Sequence, residues 1–247
     1  MAAPVVNGSR AVYYRGARVL KAQMEELVAR WGLLNASDVV YSGCSAGGLS
    51  ALLHADKWRA LLPPTAKFAS LPESGFFLDF NSSTPGAQEY SALMRWVVSG
   101  MNGTAHLPAA CVAAHPEDPG LCVFAEHLAP TLVSPTFVLN SKYDYVQVPW
   151  ILDSKDPSVI NAWGELFSSR LHNNLLAANS AHGAFVDSCW RHCWYGGGWS
   201  PASAGIHING TQTAVAFAQW YASIGSGAPQ AVYEQCHNCY PCKDCCS

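Results

Sequence analysis

The sequence predicts an α/β fold, a mostly parallel sheet with helices on both faces, on three observations. Residues 38–51 run from a β-branched and aromatic strand, Val39-Val40-Tyr41, through Gly43-Cys44-Ser45-Ala46-Gly47 into helix formers. Short apolar runs at 66–70, 136–140 and 184–186 alternate with stretches of helical period. Third, a chain of 247 residues, 50% of them hydrophobic, can bury the core of such a sheet.

In chain order, residues 17–31 place Val19, Leu20, Met24, Leu27, Val28 and Trp31 on one helical face and Lys21, Glu25, Glu26 and Arg30 on the other; Gly32 stops the helix. The helix after Gly47 is expected to run to about Leu61, where Pro63-Pro64 ends it. The strand at 66–70 leads into a loop, 73–79, at the carboxyl edge of the sheet, where open α/β sheets bind ligands. Phe76 and Phe77 are therefore expected to contact substrate, with core packing as the alternative.

Residues 88–99 form a helix with Leu93, Trp96 and Val97 as its inner stripe, and Cys111 and Cys122 bracket a loop that a local disulfide would close. The strand at 136–140 opens onto Ser141-Lys142-Tyr143-Asp144-Tyr145, followed by a helix at 162–178. A short strand at 184–186 leads to Asp187-Ser188-Cys189-Trp190-Arg191-His192-Cys193, and a last helix spans 212–223. The chain thus divides into a domain at 1–228 and a cysteine-rich tail at 229–247. The four CxxC-spaced cysteines of the tail read as disulfides rather than as a metal site, and no metal or cofactor is expected.

Composition narrows the setting. Only 13% of residues are charged, against about 25% in an ordinary soluble domain. Five N-x-[ST] patterns, at Asn7, Asn35, Asn81, Asn102 and Asn209, and ten cysteines read as a secretory-pathway glycoprotein. A net charge of -3 excludes a basic stripe for nucleic acid, and no apolar run is long enough to span a membrane. Residues 1–8 lack the basic start and apolar stretch of a signal peptide, so the natural start is expected upstream of Met1.

Strand, G-x-S-x-G and helix together are the context of a nucleophile elbow, in which small neighbours let a serine occupy a sharp strand-to-helix corner. Gly43 and Gly47 supply that smallness, Ser45 is the candidate nucleophile, and the Ala46 N–H at the helix start is the candidate oxyanion donor. Such a serine needs a base and an acid, in the order Ser, Asp or Glu, His on this type of sheet. Asp144 has the best setting for the acid, with Asp79, Asp153 and Asp187 as rivals; His192, in a loop flanked by Cys189 and Cys193, has the best setting for the base, with His182 as the alternative.

These residues resemble the pectin acetylesterase and Notum-type carboxylesterase family of serine hydrolases, the plant pectin acetylesterases above all. The resemblance is carried, in order, by Tyr14-Arg15-Gly16-Ala17-Arg18, Ser42-Gly43-Cys44-Ser45-Ala46-Gly47-Gly48, Leu53-His54-Ala55-Asp56, Ser74-Gly75-Phe76-Phe77-Leu78-Asp79, Cys111 and Cys122, Tyr143-Asp144, and Ser188-Cys189-Trp190-Arg191-His192-Cys193. It implies an α/β-hydrolase-like fold whose N-terminal strands are missing here, with Ser45, Asp144 and His192 as nucleophile, acid and base. It further implies a monomer acting on an acetylated polysaccharide through an acetyl-enzyme; the competing readings are a Notum-like esterase taking a longer acyl chain from a protein, and an inactive fragment or binding glycoprotein. The family's glycine-rich Gly-Gly-Gly-Trp oxyanion stretch is expected ahead of Met1, because Gly196-Gly197-Gly198-Trp199 has the same letters but follows His192.

Overall fold

The computed structural model describes residues 5–7, 10–80, 85–193, 206–242 and 245–246. Five parallel strands form the central sheet: β3 (Asp38–Cys44), β4 (Lys67–Glu73), β5 (Phe137–Ser141), β6 (Gly183–Asp187) and β9 (Val232–Glu234), in that spatial order. Two small antiparallel pairs, β1 (Val5–Asn7) with β2 (Arg10–Val12) and β7 (His207–Ile208) with β8 (Thr211–Gln212), stand apart from it. Cys44 pairs with Glu73, Glu73 with Leu139 and Ser141 with Asp187, so the strands end along one edge. The loops leaving that edge carry Ser45, Phe76, Asp144 and His192.

Strands β5 and β6 are buried along their whole length, as expected of parallel strands covered on both faces. Val138, Ala184 and Val186 face a core shared with α2 (Ala46–Leu53), α6 (Ala125–Leu128) and α8 (Pro157–Leu171). Their neighbours Phe137, Leu139 and Phe185 point the other way, onto Ile206, Ile208 and the Ala216 and Trp220 side chains of α9 (Thr213–Ser223). Helices therefore cover both faces, as the apolar runs implied. Among the described residues, no helix is long and apolar enough to cross a membrane.

Several elements differ from the periodicity. The helix after the elbow is interrupted at His54, which separates α2 from α3 (Ala55–Leu61), and Asp56 on α3 accepts the Val133 and Ser134 N–H groups at 3.3 and 2.8 Å. In α4 (Pro85–Gly100) the inner stripe is Tyr90, Met94 and Val98, while Leu93 and Trp96 are exposed. Helix α1 (Gly16–Arg30) buries only Leu20 and Met24. The helix expected at 162–178 begins earlier, at Pro157 with Asp156 as its cap, and ends in a π-helical turn at His172–Leu176. Two further helices, α5 (Ala109–Ala114) and α7 (Gln147–Leu152), fill connections read as irregular. Val232–Glu234, beyond the division drawn at residue 228, pairs with β6 and forms the far edge of the sheet.

Candidate active site

Ser45 sits between the end of β3 and the start of α2 with φ 58° and ψ -121°, a left-handed conformation costly for any residue with a Cβ. Its N–H donates to the Glu73 carbonyl at 2.9 Å, which ties the corner to the next strand. A Cβ on Gly43 would lie 2.5 Å from the Gly47 carbonyl oxygen, so only glycine fits there. Gly47 itself has open space, and the second tight approach is instead between Gly48 and Gly75, where an added Cβ on Gly75 would come within 2.3 Å of the Gly48 backbone. Ala46 opens α2, so its N–H is one of the helix's unpaired first-turn donors.

The loop after β5 carries Asp144 and the loop after β6 carries His192. Asp144 Oδ2 lies 2.7 Å from His192 Nδ1, and Asp144 Oδ1 accepts the Val146 and Gln147 N–H groups at 2.8 and 3.2 Å. Accepting from the imidazole, this carboxylate selects the tautomer with the proton on Nδ1, leaving Nε2 as an acceptor. Both groups are buried, at 1% and 7% exposure. The Tyr145 ring lies edge-on to the imidazole, with centroids 5.8 Å apart.

A disulfide joins Cys44 to Cys193, with the Cα atoms 5.6 Å apart. These are the residues next to Ser45 and His192, so a covalent bridge spans 149 residues of sequence to draw the two loops together. A His192 ring nitrogen lies within 4.8 Å of both sulfurs. On the far side, the Cys193 N–H donates to Ser74 Oγ at 3.0 Å, and Ser74 is itself buried with φ 47°.

The Pectinacetylesterase family model matches residues 2–247. The chain belongs to the pectinacetylesterase family. Pectin acetylesterase 11 of Arabidopsis thaliana is 31% identical over 237 residues, covering 87% of this chain and 59% of that protein. The chain thus spans about three fifths of the length of this curated relative. The palmitoleoyl-protein carboxylesterase NOTUM of Drosophila melanogaster is 29% identical over 140 residues, 55% of this chain and 21% of that protein. A solved structure of the Wnt deacylase Notum from Drosophila superposes with a TM-score of 0.78 at 24% identity, covering 95% of this chain and 68% of that one. That likeness is one of fold, and the fold is α/β-hydrolase-like.

Within this pectinacetylesterase-family chain the rival site residues have other occupations. His182 is fully buried, and its Nδ1 accepts the Thr136 N–H at 3.2 Å; burial pushes its pKa down to about 4. Burial alone would raise the Asp79 carboxyl, but hydrogen bonds from His127 and Arg95 hold it down, at about 2. Asp187 accepts the Cys189 N–H, His172 meets Glu234 at 3.0 Å and His237 meets Glu165 at 2.9 Å. Asp153 closes α7 in a left-handed conformation.

The expectation that Phe76 and Phe77 line the substrate edge is corrected. Phe76 is 0% exposed, with its ring 5.8 Å from that of Phe167, and Phe77 is also buried. Just before Phe76, Gly75 lies close against the Gly48 backbone, and the Phe76 N–H donates to Asn140 Oδ1 at 3.2 Å. Residues 196–199 lie outside the described residues.

All ten cysteines are paired. Cys111 closes its loop with Cys122, as spacing implied, and Cys189 bonds Cys246. The sulfurs of Cys236, Cys239, Cys242 and Cys245 lie within 4.8 Å of one another but form two disulfides, Cys236–Cys239 and Cys242–Cys245. Periodicity missed the Cys44–Cys193 pairing, although one cysteine beside the elbow serine and another beside the histidine was a readable signal. It also missed Lys142, fully buried after β5 with Nζ 2.8 Å from Glu234.

Proposed function

We propose that this chain is a serine esterase that removes acetyl groups from a pectin-type polysaccharide. The observation that carries the reading is the Asp144–His192 pair bridged, through Cys44–Cys193, to the strained elbow serine. In the reaction, Ser45 Oγ attacks the ester carbonyl carbon while its proton passes to His192 Nε2. The tetrahedral oxyanion takes the Ala46 N–H, reinforced by the positive end of α2. Collapse transfers the His192 proton to the departing sugar oxygen and leaves an acetyl group on Ser45. Water, deprotonated by His192, then attacks the acetyl carbonyl; acetate leaves and the serine regains its proton. Asp144 holds the tautomer and offsets the imidazolium charge in both halves. The division at residues 228 and 229 belongs to the same reading, a monomeric esterase domain followed by a tail whose first strand, Val232–Glu234, completes the domain's sheet.

The paired cysteines and the exposed sequon asparagines Asn35, Asn102 and Asn209 support an oxidising, secretory setting. The longer-acyl reading draws on the carboxylesterase relative, but Phe76 and Phe77, in the loop that leaves the strand beside β3, are committed to the core. Hydrolysis of aryl esters of increasing chain length tests the choice: acetate esters are expected to be fastest, and preference for acyl chains of roughly eight carbons or more, whose methylenes each need an apolar lining, would overturn it. Ser45→Ala is expected to lower kcat by roughly 10⁶-fold and to abolish fluorophosphonate labelling. Labelling that survives this change would remove the serine mechanism.

A further inference from the structure

The cysteine-rich tail has no part in the chemistry above, yet its first residues touch both loops that carry the acid and the base. On the acid side, Lys142 Nζ donates to Glu234 Oε1, the Gln235 carbonyl and the Cys236 carbonyl at 2.8, 3.2 and 3.3 Å. The ring of Tyr143, next to Asp144, packs on the Tyr240 ring with centroids 5.3 Å apart. On the base side, the Ser188 N–H donates to Gln235 Oε1 at 2.8 Å, and Ser188 Oγ donates to the Cys236 carbonyl at 2.9 Å. The ring of Trp190, two residues before His192, lies 5.3 Å from the same Tyr240 ring.

Tyr240 is therefore a wedge between the two loops, and it is held from a third direction. Asn161 on α8 accepts the Tyr240 N–H at 2.8 Å, donates to the Tyr240 carbonyl at 3.1 Å and accepts the Tyr143 hydroxyl at 2.8 Å. One amide thus fixes both the wedge and the residue before the acid. This half-buried set of hydrogen bonds and ring contacts holds its members in one arrangement.

We propose that Tyr240 is a positioning residue: docked by Asn161 and the Cys236 turn, its ring sets the separation of the Asp144 and His192 loops. The inference rests on the esterase reading for its rate, but not for its geometry. Misplacement of a reacting group by about 1 Å can cost on the order of 100-fold in rate. Removing the ring should act on the chemical step, since its contacts are with the loops that carry the acid and the base.

The test compares Tyr240→Ala, Tyr240→Phe and Asn161→Ala with the wild-type chain in two measurements. The first is kcat and KM on an aryl acetate. The second is the far-downfield proton resonance of His192 Nδ1–H in its hydrogen bond to Asp144, assigned with Asp144→Asn, which reads the pair without turnover. Tyr240→Phe is expected to match wild type in both, because the ring contacts do not use the hydroxyl. Tyr240→Ala is expected to lose the resonance and to lower kcat by about 10- to 100-fold with KM within about twofold. Asn161→Ala, which leaves every ring in place but frees the wedge, should move both in the same direction and keeps the test alive where Tyr240→Ala does not fold. Retention of the resonance and of kcat in a folded Tyr240→Ala, or in Asn161→Ala where that variant alone folds, overturns the proposal. A wild-type resonance with no ester hydrolysis would instead sink the esterase reading and leave the wedge standing.

Discussion

The two flanks of the sheet that build the site are made differently. Strands β5 and β6, which deliver Asp144 and His192, are buried at every position, and the loops beyond them are tied down by Lys142, by Ser188 and by the Cys189–Cys246 bond. Strand β3, which delivers Ser45, is an edge strand among the described residues: Val39 and Tyr41 pack inward, but Val40 is 42% exposed. Helix α1 likewise leaves Val19 and Leu27 exposed, as is Trp31 just after it. Asp144 and His192 are held by burial, whereas Ser45 is held by backbone pairing of β3 with β4, by its N–H bond to Glu73 and by one covalent bridge. Rigidity at the site is therefore borrowed from the buried flank through the Cys44–Cys193 bond.

That contrast can be broken in order of expected effect. Phe185→Ala on β6 removes a fully buried ring packed 6.0 Å from Tyr233 and should cost about 3–5 kcal/mol in urea denaturation. A loss below about 1 kcal/mol would mean that the buried flank is not the stable one. Replacing Cys44 and Cys193 together by serine should cost about 2–5 kcal/mol, because the closed loop is long. A double variant as stable as wild type would show that β3 needs no tether.

A third measurement sharpens the comparison through pH. Burial holds both His182 and His54 as neutral groups with pKa values near 4 in the folded chain, below the ordinary 6.5. Between those values the unfolded state binds more protons than the folded one, so stability falls as pH drops from 6.5 to 4 and levels off below that window. For His182 the full fall is roughly 3 kcal/mol. Glu234 acts in a separate, lower window: burial raises its pKa, but Lys142, Ser168 and His172 together bring it to about 2, so its contribution is present above about 4.5 and lost below. Urea midpoints for His182→Gln should lose part of the slope between pH 6.5 and 4 and keep the lower one; an unchanged upper slope would contradict a buried neutral imidazole. The smallest effect is expected on β3 itself. Val40→Thr, on its exposed face, should change stability by no more than about 0.5 kcal/mol.

What was legible in the sequence follows from the same contrast. Runs such as 136–140 and 184–186 announce buried strands because nothing polar interrupts them, and the elbow was readable because a strained corner demands glycine at Gly43. Asp144 and His192 could be ranked because each leaves a strand's carboxyl end in the order the chemistry needs. Phe76 and Phe77 misled because apolar residues at that edge serve either substrate or core, and the ring that Phe76 packs on, Phe167, lies far away in sequence. The strand Val232–Glu234 is too short to announce itself, and its Tyr233 and Glu234 are recruited by Phe185 and Lys142 across the fold. The stripe of α4 slipped to Tyr90, Met94 and Val98 because several apolar residues offered competing faces and only tertiary packing chose between them.

The Cys44–Cys193 bond also has a bearing on how the molecule matures. Its first thiol is synthesised 149 residues before its second, so the link can close only after most of the polypeptide has been made. A host whose thiols stay reduced would then be expected to yield material with the right secondary structure and a loosely held Ser45 corner. Export to an oxidising organelle or periplasm, rather than a higher expression level, is expected to decide how much of a preparation carries the link.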